Sequence, residues 1–424
     1  MKHRTIATVL AAGIMTLAGH AGAATPAQQA GNSNAILLQG FHWNSAAYAG
    51  PDWYNTLMNN VGDLSAMGFT HVWFPPPSDS AAREGYLPRQ LNKLDSSYGS
   101  AAELTNVVGA FRSRGVKAIA DVVVNHRVGT TGWSDFTNPN WTTYTIVNND
   151  ECNCGLGAGD TGDGFSGGRD LAHTNVGEVQ NGIVNWLNYT IKPVGFSGLR
   201  FDYVKGFSPS YVAQYANAFG AEFCVGELWP DFDINNMDAN RQAIMNWING
   251  TSNSCGAFDF TTKGILNDAL ANGNYWRLKA TDGKPQGAIG WWPAMSVTFV
   301  DNHDTGPSES CGNGQNHWPV PCGSVMQGYA YVLSHPGIPT VYYPHIYNWN
   351  LKAPIAALMA ARRAAGVHSS SPVTINQAVQ GLYAATITGN TRQLAMKIGP
   401  NSWSPSGSGW VLQTSGTNYA VWMK

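Results

Sequence analysis

Charge is scarce in this 424-residue chain. Asp, Glu, Lys and Arg make up 12% of it, and the formal net charge is −2. That balance offers no basic surface for nucleic acid and no field to hold the chain on an anionic membrane. Beyond residue 17 no unbroken apolar run is long enough for a membrane helix. No G-x-S-x-G occurs, and neither His126 nor His303 has a Ser or Cys nucleophile pattern beside it, which argues against acyl transfer. No His/Cys cluster has zinc-ligand spacing, and no EF-hand loop is present.

The chain start is distinctive. Lys2, His3 and Arg4 precede an apolar stretch over 6–17, and Ala21-Gly22-Ala23 is an A-x-A cleavage pattern. Residues 1–24 are therefore expected to be a secretory signal, and the mature protein to be soluble, extracellular and free of membrane partners. In an exported chain six cysteines suit disulfides. Cys224/Cys255 and Cys311/Cys322 are the preferred pairs. A Cys152/Cys154 bridge would close a strained Cys-x-Cys ring and is disfavoured. Aromatics reach 11%, with 16 Trp. A neutral surface rich in flat rings suits sugars, which offer C–H faces for stacking and hydroxyls for hydrogen bonds.

Short β-like runs alternate with amphipathic helical runs up to about residue 366, which predicts an α/β fold of βα units. Strands are expected at 35–39, 71–74, 116–124, 199–203, 223–228, 257–260, 296–300 and 340–343. Eight largely apolar runs are what a closed (β/α)8 TIM barrel needs when helices cover its outside. Trp53, Leu57, Val61, Leu64 and Met67 mark one covering helix, with Gly68 as its C-cap. Leu104, Val107, Val108 and Phe111 mark a second, which Gly115 closes. Ser208-Pro209 reads as an N-cap and N1 proline of a third, ending at Gly220.

Two regions break the rhythm. Residues 127–175, rich in Gly, Asn, Thr and Asp, follow the third strand and read as an insertion within a barrel domain spanning 25–366. Residues 367–424 alternate apolar and polar positions and read as a small C-terminal antiparallel β-sheet domain.

Catalytic side chains of a barrel sit at the C-terminal ends of different strands. Three acids stand there: Asp202, Glu227 and Asp304. One acid at a strand end often caps the next helix, but three at separate strand ends point to a shared mouth. Two carboxyls about 5–5.5 Å apart are the arrangement of retaining glycosidases.

Four motifs carry a resemblance. They are Asp121-Val-Val-Val-Asn125-His126, Gly198-Leu-Arg200-Phe-Asp202-Tyr-Val-Lys205-Gly206, Val225-Gly-Glu227-Leu-Trp229 and Phe299-Val-Asp-Asn-His303-Asp304. In order, they resemble the signature regions of the α-amylase family. Further segments, among them 258–267, Gly290-Trp-Trp-Pro293, 325–331 and Tyr419-Ala-Val-Trp422, look like plant-type α-amylases. Phe41-His-Trp-Asn44 and the Cys224/Cys255 pair are similar to those of bacterial maltotetraose-forming amylases.

The resemblance implies hydrolysis of α-1,4-glucosidic bonds in starch and maltooligosaccharides, with retention and by a monomer. The plant-type likeness implies internal cleavage, whereas the maltotetraose-forming likeness implies short products released from chain ends. Asp202 would be the nucleophile, Glu227 the acid/base, and Asp304 the group holding sugar hydroxyls. Burial should raise Glu227, while Arg200, two positions before Asp202 on the same strand face, should keep Asp202 ionised. His126 and His303 would donate to the sugar, Trp43, Tyr86 and Trp229 would stack on glucose rings, and Lys205 would reach a sugar on the reducing-end side. Trp291 and Trp292 would bind starch away from the cleft.

The run Asp160-Thr-Gly-Asp163-Gly and then Asp170 is rich in oxygen donors and glycine, which suits Ca2+. The resemblance completes a structural site with Asn125 and the carbonyl of Gly206, where many relatives have His.

Overall fold

The computed structural model describes residues 32–47 and 52–424. The secretory-signal expectation for 1–24 lies outside the described residues. Among them, no helix is long and apolar enough to cross a membrane.

Eight parallel strands close into a barrel: β1 Leu37–Gln39, β2 His71–Phe74, β3 Lys117–Val122, β4 Gly198–Phe201, β5 Phe223–Gly226, β6 Gly256–Phe258, β7 Ser296–Phe299 and β8 Ile338–Tyr342. Each strand pairs with its sequence neighbours, and β1 closes the ring onto β8 through Leu37↔Thr340. The strands are short and almost wholly buried, which is why they read as continuous apolar runs rather than alternating ones. Most expected strands ran past their observed C-terminal ends; at 257–260 and 340–343 the reason is that Phe260 and Tyr343 each open a helix.

The helices sit where the apolar spacing put them. Helix α1, Trp53–Met67, buries Leu57, Val61 and Leu64 and ends at Gly68, whose φ of 93° a side chain would strain. Helix α2, Ala101–Arg112, starts with a capping box between Ser100 and Glu103. Helix α3, Pro209–Phe219, has Pro209 in its first turn and Gly220 as its left-handed C-cap. Ser208 sits at the N-cap position, yet its hydroxyl pairs with Ser210 Oγ at 2.9 Å and does not cap the helix.

After β3 the chain leaves the barrel. The excursion is mostly irregular and is tied at its base by a two-residue ladder, His126–Arg127 against Arg169–Asp170. Cys152 and Cys154 are bonded, which corrects the sequence expectation. Their Cα atoms lie 5.1 Å apart, inside the ordinary disulfide range, because Asn153 takes a positive φ. Cys224–Cys255 and Cys311–Cys322 are also bonded.

The C-terminal sheet has five antiparallel strands: β9 Val373–Val379, β10 Leu382–Thr388, β11 Gln393–Ile398, β12 Val411–Gly416 and β13 Tyr419–Met423, in the order β9-β10-β11-β13-β12. Buried polar contacts fasten it to the barrel. Tyr383 OH lies 2.9 Å from His335 Nε2, and Gly399 N donates to Gln327 Oε1 at 3.0 Å.

Candidate active site

The C-terminal ends of the barrel strands open into a cleft of about 560 Å3. Asp202 follows β4 directly and Glu227 follows β5 directly. Asp304 stands in the turn after β7, and all three line the cleft. The structure thus brings the three predicted acids to one mouth, together with Trp43, Tyr86, His126, Lys205, Trp229 and His303. Arg200 lies fully buried beneath them.

One guanidinium organises the acids. Arg200 Nη1 donates to Asp202 Oδ1 at 2.8 Å and to Asp121 Oδ1 at 2.9 Å. Its Nη2 lies 2.9 Å from Glu227 Oε2, an ion contact rather than a directed hydrogen bond. Its Cζ atom lies over the Trp73 ring, 4.9 Å from the ring centre. Asp121 is the counterweight. Wholly buried, it also accepts from Trp73 Nε1 and Tyr86 OH, both at 3.0 Å. The sequence reading gave it no role, although a charge inside the apolar run 116–124 demands a partner and was the available signal.

Burial dominates the titration of the group. It pushes Glu227 up to about 7, with the Asp202 charge adding to the rise and Arg200 opposing it. It pushes Asp202 to about 6, held back by Arg200 and by a hydrogen bond shared with Glu227. Asp304 is driven well above the usual carboxylate range by burial and then by Glu227. The order is therefore an acid at position 227 that keeps its proton longer than its neighbour at 202.

The turn carrying Asp304 is built by residues the sequence reading passed over. Asn302 Oδ1 accepts from the backbone N–H groups of Asp304 and Thr305 at 3.0 and 2.8 Å. Asp301 anchors the turn through a buried ion pair with Lys263 at 2.7 Å. His303 is uncharged, because burial and Arg200 drive its pKa far down. Gln39 Nε2 donates to its Nδ1 at 2.9 Å, which leaves the ring proton on Nε2, 3.3 Å from Asp304 Oδ2.

The predicted sugar contacts divide. Trp43, Tyr86 and His303 lie nearly parallel, with Trp43 and Tyr86 at 4° and Tyr86 and His303 at 14°. His126 lines the cleft but uses its donor internally: Nε2 faces the Tyr86 carbonyl at 2.8 Å, and the ring stacks on Phe165 at 4.0 Å. Trp229 stacks on Phe260 at 4.8 Å. Lys205 Nζ sits 5.3 Å over the Tyr203 ring at the rim. Trp291 and Trp292 are half-buried and away from the cleft, and Arg241 covers one face of Trp291 at 3.8 Å. Phe165, Phe232 and His317 also line the cleft and went unread. They sit in irregular segments that have no period to reveal them.

A second cluster of oxygens lies where the insertion meets the barrel. Asn125 Nδ2 donates to Asp170 Oδ1 at 3.1 Å, and Asp163 N donates to the Lys205 carbonyl at 2.9 Å. A Cβ on Gly206 would run into the Asn125 side-chain oxygen, and one on Gly162 would strike Lys205 and Gly206. Asp160 Oδ2 is buried without a hydrogen-bond partner. Burial and neighbouring acids raise Asp160 and push Asp170 to about 7. Asp150 and Glu151 approach Asp170 as well, and Arg169 pairs with both at 3.1 and 3.0 Å. An orphaned carboxylate oxygen in an all-oxygen, acid-rich surrounding fits a hard divalent cation.

Residues 55–143 match the family described as "Alpha amylase, catalytic domain", and residues 364–423 match "Alpha-amylase C-terminal beta-sheet domain". "Probable alpha-amylase 2" of Arabidopsis thaliana is 43% identical over 404 residues, covering 92% of this chain and 94% of its own. "Glucan 1,4-alpha-maltotetraohydrolase" of Stutzerimonas stutzeri is 34% identical over 428 residues, covering 96% and 76%. Among solved structures, an α-amylase from Geobacillus thermoleovorans complexed with acarbose is similar with a TM-score of 0.66. It is 17% identical, and the match covers 92% of this chain and 97% of that one.

Proposed function

Because the chain belongs to the α-amylase family of glycoside hydrolases, whose members act on starch and related glucans, we propose that it is a secreted α-amylase that cleaves α-1,4-glucosidic bonds with retention. The observation that carries this reading is the single buried guanidinium holding both Asp202 and Glu227. The two carboxyls stand close enough to share a hydrogen bond. That leaves no room between them for the water an inverting pair needs.

In the first step the ionised Asp202 attacks the anomeric carbon. Glu227 gives its proton to the departing glycosidic oxygen, and a covalent glucosyl-enzyme forms. In the second step Glu227, now ionised, takes a proton from water as that water displaces Asp202, and the two inversions sum to retention. Arg200 supports the first role and works against the second, which burial secures. It favours the charged form of Asp202 while burial favours the proton on Glu227. Asp304 and His303 Nε2 face the same space and suit hydroxyls of the sugar being cleaved. Trp43, Tyr86 and Trp229 supply stacking faces along the cleft, with internal cleavage of the chain preferred and a product time course from soluble starch as its check. Trp291 and Trp292 form a lesser starch contact outside it.

Asn125, Asp160, Asp163, Asp170 and the Gly206 carbonyl would hold a structural Ca2+, which supplies positive charge among acids that otherwise repel. It pins the insertion to the barrel beside His126 and Tyr203. Three disulfides support an extracellular setting.

The test is Asp202→Asn and Glu227→Gln. Each should lower kcat on starch by about three orders of magnitude or more while the melting temperature stays near that of the parent. Near-normal turnover by either purified variant would remove the assignment.

A further inference from the structure

Trp43 lines the cleft beside Tyr86 and His303, and both of its chain neighbours face a single residue of a distant loop. Asn44 Nδ2 donates to Glu309 Oε2 at 2.8 Å, and His42 Nδ1 lies 3.9 Å from Glu309 Oε1. Asn313 closes the arrangement. Its Nδ2 donates to Glu309 Oε2 at 2.8 Å, and its Oδ1 accepts from Asn44 Nδ2 at 3.1 Å.

The loop that carries these residues is itself restrained. Cys311–Cys322 ties it across. Its far side is fixed beside the catalytic turn, where His317 N donates to the Asp304 carbonyl and Trp318 N to the Thr305 carbonyl, both at 3.0 Å. Near Glu309, Trp349 Nε1 donates to the Ser308 carbonyl at 3.3 Å. Glu309 thus projects from a braced loop onto the short turn that Trp43 opens. That turn's own backbone is tied at its start by bonds between His42 and Ser45, but among the described residues the Asn44 side chain is held only through Glu309 and Asn313. Trp43 opens a 3-10 helix of five residues, Trp43–Ala47, an element with poor hydrogen-bond geometry of its own. Hydrogen bonds to a carboxylate are among the stronger ones available to hold such a turn.

We propose that Glu309 is a positioning residue for glucan binding: by gripping Asn44 and facing His42 on either side of Trp43, it holds the Trp43 ring as a sugar-stacking face in the cleft. The proposal rests on the reading of the cleft as a glucan site. A ring left free to swing must be ordered when the sugar arrives, and that ordering weakens binding without touching the bond-breaking step. Glu309 does not contact the reacting atoms, so its loss should appear in KM and not in kcat.

The experiment measures kcat and KM on maltoheptaose for the parent, Trp43→Ala, Glu309→Ala, Glu309→Gln and the Trp43→Ala/Glu309→Ala double variant, with a melting curve for each. Glu309→Ala should raise KM about three- to tenfold with kcat within about twofold. Glu309→Gln keeps an acceptor for Asn44 and should recover most of the loss. The double variant should have the KM of Trp43→Ala alone, because Glu309 acts through that ring. If Glu309→Ala does not fold, Asn44→Ala cuts the same link from the other side and takes its place in the cycle. An unchanged KM in Glu309→Ala, or additive losses in the double variant, would overturn the clamp while leaving the glucan cleft standing. An unchanged KM in Trp43→Ala would instead overturn the stacking role of the ring, and the clamp with it.

Discussion

This molecule holds two clusters of acids, one in the cleft and one where the insertion meets the barrel, and they are neutralised differently. Asp121, Asp202 and Glu227 surround Arg200, a cation the fold supplies from its own fourth strand. Among the described residues no Lys or Arg forms an ion pair with Asp160, Asp163 or Asp170. Arg169, next to Asp170 in the chain, turns to Asp150 and Glu151, and Asp160 Oδ2 stays orphaned. The difference matches the work each cluster does. A site that must hold one carboxyl charged and its neighbour protonated needs a fixed cation whose reach is set by a strand. A junction that only has to lock a loop can take its cation from solution.

The comparison breaks most violently if the internal cation is removed. Arg200→Leu would bury Asp121, Asp202 and Glu227 without their counter-charge. Stripping one partner from such a pair costs about 3–5 kcal/mol, so a large fall in melting temperature and no measurable turnover are expected. A calorimetric scan with an assay on soluble starch checks both. A variant that kept parental stability would mean that Arg200 is not the centre of the cluster.

The external cation should cost less to remove. At a concentration about a thousandfold above its Kd, a ligand bound only by the folded state contributes about 4 kcal/mol. Removing calcium with EDTA should therefore lower the melting temperature by about 5 °C, restored by Ca2+ and absent in Asp160→Asn. A melting temperature indifferent to chelation would leave the second cluster without its role.

The smallest effect is a displacement on the pH axis. Turnover needs Asp202 ionised and Glu227 protonated. Activity should fall on the acid side near pH 6 as Asp202 gains a proton, and on the alkaline side near pH 7 as Glu227 loses its own. The profile of kcat/KM reports these as values of the coupled pair. Arg200→Lys, if folded, keeps the charge but not the fork, so Asp202 holds its proton to higher pH and the acid limb moves up. A limb that stays in place would show that Arg200 does not set the Asp202 charge.

The fold was largely legible because its strands are buried on both sides. Segments such as 35–38 and 72–74 are apolar without a break, and helices such as α1 carry their stripe and cap in plain view. The three acids were legible because each follows a different apolar run; one such acid often caps a helix, but three at separate strand ends point to a shared mouth. What escaped notice was set by contacts distant in sequence. Asp121 owes its role to Arg200, Trp73 and Tyr86, none of which is near it in the chain. Glu309 meets Asn44 across 265 positions, in a loop with no period to follow. The Cys152–Cys154 bond ran against an argument from ring strain. That argument left out the positive φ that Asn153 adopts to close the ring.

The most direct test is to trap the bond that Asp202 is said to form. A fluorinated maltosyl fluoride slows the second step more than the first, so the glycosyl-enzyme should accumulate. Peptide mass spectrometry should then find one added fluorinated maltosyl group on the segment holding Asp202, and none in Asp202→Asn. An adduct on another residue, or none at all with β-configured first product, would contradict the account.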